Sequence, residues 1–278
     1  MSVNHEQEEF WSSDAGDTWI AQQAAMDGLL APVLDLVLDA AQLKSGDQVL
    51  DVGCGAGTST ALAAQAVGAD GSATGVDISQ PLLDQARSEY PAETVRWLHA
   101  DAQTHSFVGR SFDAMISRFG VMFFENTTAA FTNIRNALKP NGKITMAAWA
   151  APADNPWFMT PAQVARATLG AMPKTDRTLP GPFAFEDPAR VIAMLQAAGL
   201  SEVTCTTHEI ALSGVGQARD LADLCCAIGP ADSAIRYFNA DADQQRILRD
   251  AIATAFADYE TPGRVRVPAS IHLYQARA

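Results

Sequence analysis

Val33, Leu34, Val37 and Leu38 recur at three- and four-residue intervals, which lays one apolar stripe along a helix over 31–41, preceded by a second helix over 19–26. Lys44-Ser45-Gly46-Asp47 carries turn chemistry. The period then shortens. Residues 48–52 form a short, mostly apolar run that predicts a strand, and 58–67 an alanine-rich helix with Gly68 beyond its end. The same alternation continues with strands over 72–77, 95–99, 112–117 and 142–149. Helices fall between them over 80–90, opened by Pro81, and over 127–138. Strands that alternate with helices predict a parallel sheet covered on both faces.

Beyond Trp149 the texture changes. Residues 151–182 are rich in Pro and Ala, with a helix predicted over 161–169. A helix over 187–198 has Asp187 as N-cap, Pro188 in its first turn and Gly199 as its stop. A strand is expected over 201–213, two helical stretches over 217–259, and a closing strand over 265–276 that contains Pro268. The last two strands are expected to pair antiparallel, with 151–182 and 214–263 inserted as a helical lid. The expected organisation is N-terminal helices over 1–45, a core over 46–150, and the rest of the sheet with its insertions over 151–278.

Composition narrows the partners. The formal net charge is −13 with no run of Lys or Arg, so phosphate backbones and anionic lipid are repelled, and neither a nucleic acid nor a membrane is expected as partner. Cys54, Cys205, Cys225 and Cys226 form no C-x-x-C pair and no His cluster accompanies them, so no metal is expected. The first ten residues are polar and acidic, and Asp35 and Asp39 interrupt the most apolar early segment, 29–41. A cytoplasmic location follows as an expectation, as a monomer or homodimer.

The chemistry centres on Gly53, Gly55 and Gly57, between a predicted strand and a predicted helix. Glycines there let backbone N–H groups approach a ligand closely. The spacing is G-x-G-x-G, neither the dinucleotide fingerprint G-x-G-x-x-G nor a phosphate loop ending in G-K-[ST]. Asp51, two residues before the loop, would repel a pyrophosphate but suits an ammonium group. Asp77 closes the second strand, where a carboxylate can accept from both hydroxyls of a ribose. A ligand with a ribose, a positive charge and no diphosphate is expected, and S-adenosylmethionine meets that description better than NAD or ATP.

The segments VLDVGCGAG, GVDIS, ADAQ, FDAMISRFGVMFF and LKPNGKI, in this order and spacing, resemble class I S-adenosylmethionine-dependent methyltransferases. They look closest to the ubiquinone/menaquinone-biosynthesis-like small-molecule group. The resemblance implies an α/β fold: a Rossmann-like, doubly wound, seven-stranded sheet with its last strand antiparallel, plus helical lid insertions. It also implies a cofactor site. Gly53, Gly55 and Gly57 would line the methionine part, with Asp51 near its ammonium. Asp77 would hold the ribose, with Ile78 and Ser79 beside the adenine. Asp101 would accept from the adenine amine and Ala102 donate to the ring. Ser117, Arg118 and Phe119 would border the methyl group, and Trp11 and Trp19 would close over the cofactor.

Other readings stay open at several positions. Asp77 can also cap the helix that follows it, Asp101 a turn, and Trp11 and Trp19 can serve packing alone. His99, His105 and His208 stand in no spacing that marks a general base, so no catalytic residue is assigned. The expected partner is a small-molecule methyl acceptor enclosed by the lid, whose aromatics (Trp157, Phe158, Phe183, Phe185, Tyr237, Phe238) either line a pocket or fill lid core. A dinucleotide-dependent oxidoreductase and a catalytically silent S-adenosylmethionine-binding protein are the rival classes.

Overall fold

A computed structural model describes residues 4–214 and 216–278. The first three positions of the expected N-terminal unit and position 215 of the second expected insertion lie outside them. Along the chain run α1 (His5–Trp11), α2 (Asp14–Ala21), α3 (Gln23–Ala41), β1 (Gln48–Val52), α4 (Thr58–Val67), β2 (Ser72–Asp77), α5 (Gln80–Glu89) and β3 (Val95–His99). Next come β4 (Phe112–Arg118), α6 (Thr127–Ala137), β5 (Leu138–Trp149), α7 (Pro156–Thr168), α8 (Pro188–Ala197) and β6 (Ser201–Ser213). The chain closes with α9 (Ala218–Ala227), α10 (Pro230–Phe238), α11 (Ala242–Phe256), β7 (Glu260–Thr261) and β8 (Arg264–Arg277).

The main sheet has the order β3-β2-β1-β4-β5-β8-β6, and the two-residue β7 forms a hairpin with β8. The first five strands of that order pair in parallel; β8 runs antiparallel between β5 and β6. Its inner strands read as continuous apolar runs because both faces are covered: Val49, Leu50, Met115, Ile116, Met146 and Ala147 are all buried. Strand order reverses at β1, which has β2 on one side and β4 on the other. Chains leaving β1 and β4 therefore diverge above the sheet and leave a crevice at their C-terminal ends, where open α/β sheets bind ligands.

The helices differ from the sequence expectation in several places: α1 precedes the first expected helix, a break at Gln22 falls inside the helix expected over 19–26, and α7 starts at Pro156 and not at 161. A single helix, α3, covers 23–41 where a break was expected between two helices, and it keeps Gly28 and Pro32 inside it. Gly214, just past β6, abuts α3 at Gly28: a Cβ built on Gly214 would lie 2.6 Å from the Gly28 carbonyl carbon, whereas one on Gly28 would make only ordinary contacts at 3.9 Å. The two backbones cross where a side chain on Gly214 would not fit. Over 217–259 the chain forms three helices and not two. Gly229 and Pro230 start a new one after α9, and Asp241, whose side chain accepts from the backbone N–H of Gln244, starts another. Of these, α9 packs on α10 and α11, and the latter two on α7, while α2 packs on α3 and α5 and carries α1. Among the described residues no helix is long and apolar enough to cross a membrane.

Candidate active site

Between β1 and α4 the backbone folds back on the sheet, and the amides of Gly53 and Cys54 both donate to the carbonyl of Val76 in β2. Gly53 meets Gly120, which follows β4: a Cβ on Gly53 would lie 2.5 Å from the Gly120 Cα, and one on Gly120 only 2.6 Å from the Gly53 Cα. Two strand-end turns thus touch backbone to backbone, which glycine at both positions permits. Gly55 differs. Its φ of +55° favours glycine, no atom lies within 4 Å of where its Cβ would be, and its amide donates to Asp77 Oδ2 at 2.8 Å.

Asp51 is fully buried beneath this turn. Its Oδ2 accepts from the hydroxyls of Ser59 and Thr60, each at 2.6 Å, while Oδ1 is buried without a hydrogen-bond partner among the described residues. Burial raises its pKa to about 6, against the pull of the two hydroxyls and of the Arg118 charge. Asp77 is also pushed up by burial, and the backbone amides of Ser79 and Gly55 oppose that shift. Ser79 donates to Asp77 Oδ1 at 2.9 Å. One amide on each carboxylate oxygen leaves further lone pairs for donors in the cavity.

Beyond Asp77, His99 Nε2 lies 3.0 Å from the Ile78 carbonyl. Asp101 Oδ1 accepts from Asn4 Nδ2 at 2.8 Å and from the Gln103 amide at 2.9 Å, and the Asn4 side chain also accepts from the Glu125 amide at 2.7 Å. Asn4 thereby pins the start of the N-terminal helices over the ends of β3 and β4. Trp11 packs edge-on against Trp19 and Phe123, both at 5.7 Å, and its carbonyl accepts from the Ser79 hydroxyl.

These residues surround one cavity of about 980 Å³. On its wall stand Trp11, Trp19, Gly53, Gly55, Gly57, Asp77, Ile78, Asp101, Ala102, Arg118 and Phe119, eleven of the fourteen positions named from sequence. Asp51, Ser79 and Ser117 do not reach it; Ser79 is fully buried, capping α5 at the Leu82 amide and donating to the Trp11 carbonyl. Ser117 is fully buried, donating to the Val52 carbonyl at 2.7 Å and accepting from the Gly120 amide at 3.2 Å. Its part is to hold the turn and not to border a methyl group.

That turn puts Phe119 at φ +69°, unusual for an aromatic residue, and stacks its ring on Trp149 at 4.4 Å with the planes 3° apart. Phe158 closes edge-on against Trp149 at 4.9 Å. With Trp157 these rings wall the side of the cavity facing the lid, where Ile228, Asp232, Ser233 and Arg236 complete it. Of the six lid aromatics considered from sequence, Trp157 and Phe158 line the cavity. Phe185 is core and Phe183 packs on Phe158, while Tyr237 is exposed and Phe238 lies against Gly170. None of His99, His105 and His208 stands on the wall.

Sequence reasoning missed Asn4, Asp27, Gly120 and Trp149. Gly120 had a signal, a glycine directly after a predicted strand in the same sheet as Gly53. Asp27 read as the polar face of a helix, and nothing near Asn4 marked it.

Residues 49–142 match the family model for a methyltransferase domain. An uncharacterised methyltransferase of Mycobacterium bovis is 31% identical over 128 residues, 45% of this chain and 64% of that protein. An aklanonic acid methyltransferase of Streptomyces is 32% identical over 111 residues, 39% of this chain and 50% of that protein. The chain thus matches half to two thirds of the length of these curated relatives. Among solved structures, a Haemonchus contortus phosphoethanolamine N-methyltransferase 2 in complex with S-adenosyl-L-methionine superposes with a TM-score of 0.59 at 15% identity, covering 97% of this chain and 59% of that one. That likeness is one of fold.

Proposed function

We propose that this chain, which carries a methyltransferase domain over 49–142, binds S-adenosylmethionine in the cavity above β1 and β4 and transfers its methyl group to a small-molecule acceptor. The observation that carries the reading is the pair of buried carboxylates around the glycine turn: Asp77 on the cavity wall with one amide on each oxygen, and Asp51 beneath with Oδ1 unpartnered among the described residues. Together they suit a ligand with ribose hydroxyls and a cationic end. They do not suit a diphosphate. When bound, the cofactor supplies a methyl group already activated by its sulfonium.

The chain's own residues then bind, orient and exclude water. Gly55 faces open space for the methionine part, while Gly53 and Gly57 let the turn pack against Gly120 and against Trp97 and Ala86. The buried Asp51 charge acts on the cofactor's ammonium from beneath the turn. Asp77 accepts from the ribose, Ile78 and Ala102 flank the adenine, and Asp101 offers it an acceptor. Trp11 and Trp19 cover the site from the N-terminal helices, while Arg118 and Phe119 stand towards the acceptor. Orientation of two reactants in a closed site is worth about 7–11 kcal/mol of barrier. With none of the three candidate histidines on the wall, a nucleophile that needs no strong base fits the site best.

Several features support a small acceptor: the ring-lined chamber under the lid, the acidity of the chain, and relatives whose names include aklanonic acid and naphthoquinone methyltransferases. The same reading divides the chain into covering helices (1–45), cofactor core (46–150) and completed sheet with lid (151–278), in a cytoplasmic monomer or homodimer. Calorimetry with S-adenosylhomocysteine and with NADH tests it. The first should bind, and Asp77→Ala should weaken it by about 1–3 kcal/mol, the worth of charged hydrogen bonds. Binding of NADH alone would reverse the assignment. Formation of S-adenosylhomocysteine on a panel of small acceptors then separates an enzyme from a silent binder.

A further inference from the structure

Phe119 reaches the cavity at a conformational cost. Its φ of +69° lies in the left-handed region, an outlier for a residue with a bulky ring, and such outliers persist only where the surroundings over-determine them. Here they do so from both sides: the Phe119 amide donates to the Ala147 carbonyl at 3.1 Å, and Gly120 after it is wedged against Gly53. The strained backbone sets the ring on the cavity wall, stacked on Trp149 with the planes 3° apart. Trp149 is buried and Phe119 only partly so, and the cavity therefore meets this stack chiefly at Phe119. A flat ring laid there would add a third layer.

Arg236 stands on the lid side of the same cavity. Its Nε donates to both carboxylate oxygens of Asp232, one turn earlier in α10, at 2.9 and 3.1 Å. Nη1 and Nη2 have no partner among the described residues, and 54% of the side chain is exposed, so the guanidinium is open at the cavity mouth. A guanidinium paired through Nε keeps its two-nitrogen edge for a second carboxylate. The other cation on the wall, Arg118, is nearly covered and already paired with Asp27. Of the acids on the wall, Asp232 is matched by Arg236, and the rest stand on α1, α2, α3 and at the ends of β2 and β3. We propose that the methyl acceptor is a flat aromatic carboxylate, with its ring on Phe119 and its carboxylate on Nη1 and Nη2 of Arg236. The methyl-accepting atom is then a different group, at the inner end of the ring. This rests on the cofactor assignment above and adds to it the class of the acceptor.

Calorimetry on the full chain saturated with S-adenosylhomocysteine tests this with probes that differ in charge or in ring. The probes are 2-naphthoate, neutral 2-naphthalenemethanol, cationic 2-naphthylmethylammonium, and cyclohexanecarboxylate, an acid with no aromatic face. The first should bind about tenfold or more tighter than each of the others, as a charged hydrogen bond or a stacked ring allows. Arg236→Gln, at an exposed position, should weaken 2-naphthoate by about tenfold while 2-naphthalenemethanol changes less than about twofold. Phe119→Leu should weaken both naphthalene probes by the same factor and cyclohexanecarboxylate by less. The comparison of the two acids on the parent tests the ring even if that variant does not fold. No binding of 2-naphthoate, preference for the alcohol or the ammonium, equal affinity for cyclohexanecarboxylate, or equal effects of Arg236→Gln on acid and alcohol would overturn the proposal and leave the cofactor assignment standing. A parent protein that does not bind S-adenosylhomocysteine overturns both.

Discussion

Asp51 holds a carboxylate where no solvent reaches it, and its two hydroxyl partners fall short of replacing water. With its pKa raised from 3.8 to about 6, the folded chain binds this proton more tightly than the unfolded chain does. Its stabilising contribution is therefore fully present below pH 4 and lost as pH rises through about 6, a swing of about 3 kcal/mol. Asp51→Asn removes that penalty and keeps an acceptor for Ser59 and Thr60. At pH 7.5, without cofactor, the variant should melt several degrees higher than the parent, and the gap should narrow on acidification to pH 5. On the proposed cofactor reading, affinity should move the other way and be reduced in the variant at every pH. In the parent it should fall below about pH 6, as the carboxylate buried beneath the turn takes up its proton and its charge no longer favours a cationic ligand above it. A gap in melting temperature that does not depend on pH would refute the charge argument. The residue that destabilises the empty protein is, on this account, one that the cofactor uses.

Among the elements, α1 contributes no buried residue, yet it carries Trp11 and starts from Asn4, which reaches Asp101 and Gln103. The sheet does not depend on it; the cavity roof does. Deleting residues 1–12 should lower the melting temperature by only a few degrees while S-adenosylhomocysteine affinity falls about tenfold or more, since burial of the ligand goes with the helix. Equal affinity in the truncated chain would mean that α1 packs over the site without closing it. These covering elements were also the least legible in the sequence. The strands 48–52, 72–77, 95–99 and 201–213 stand where they were expected: β1 is buried on both faces and writes an apolar run between turn residues, whereas the edge strands β3 and β6 are partly exposed and mix apolar with polar positions. The break expected before residue 31 does not occur. Gly28 and Pro32 read locally as punctuation, yet the helix runs through both, and the glycine that the long-range contact requires is Gly214. The third helix after position 217 was hidden for a similar reason, since an amphipathic pattern survives a tight turn at Gly229-Pro230.

At the scale of the molecule, the cavity residues at the strand ends were legible and those on the lid side were not. The glycine turn, Asp77 and Asp101 are set by local chain geometry at successive strand ends, so their spacing in sequence fixes their spacing in space. Asp27, Trp149 and Arg236 come together only when α3, β5 and α10 converge on one cavity, and no local pattern announces that. What this convergence builds is electrostatically one-sided. Glu6, Asp14, Asp27, Asp77, Asp101 and Asp232 stand on the wall against Arg118 and Arg236, in a chain whose formal net charge is −13. Such a field attracts S-adenosylmethionine, whose sulfonium leaves it net positive, more than S-adenosylhomocysteine, which is net neutral. On the proposed reaction, the product would leave a site that no longer attracts it by charge. Raising salt from 0.02 to 0.5 M shortens the screening length from above 10 Å to below it, and should weaken the sulfonium ligand by about threefold while changing the thioether ligand less. Parallel salt dependence of the two affinities in calorimetry would place the discrimination in short-range contacts around Asp51, where salt does not reach, and not in the field of the acidic wall.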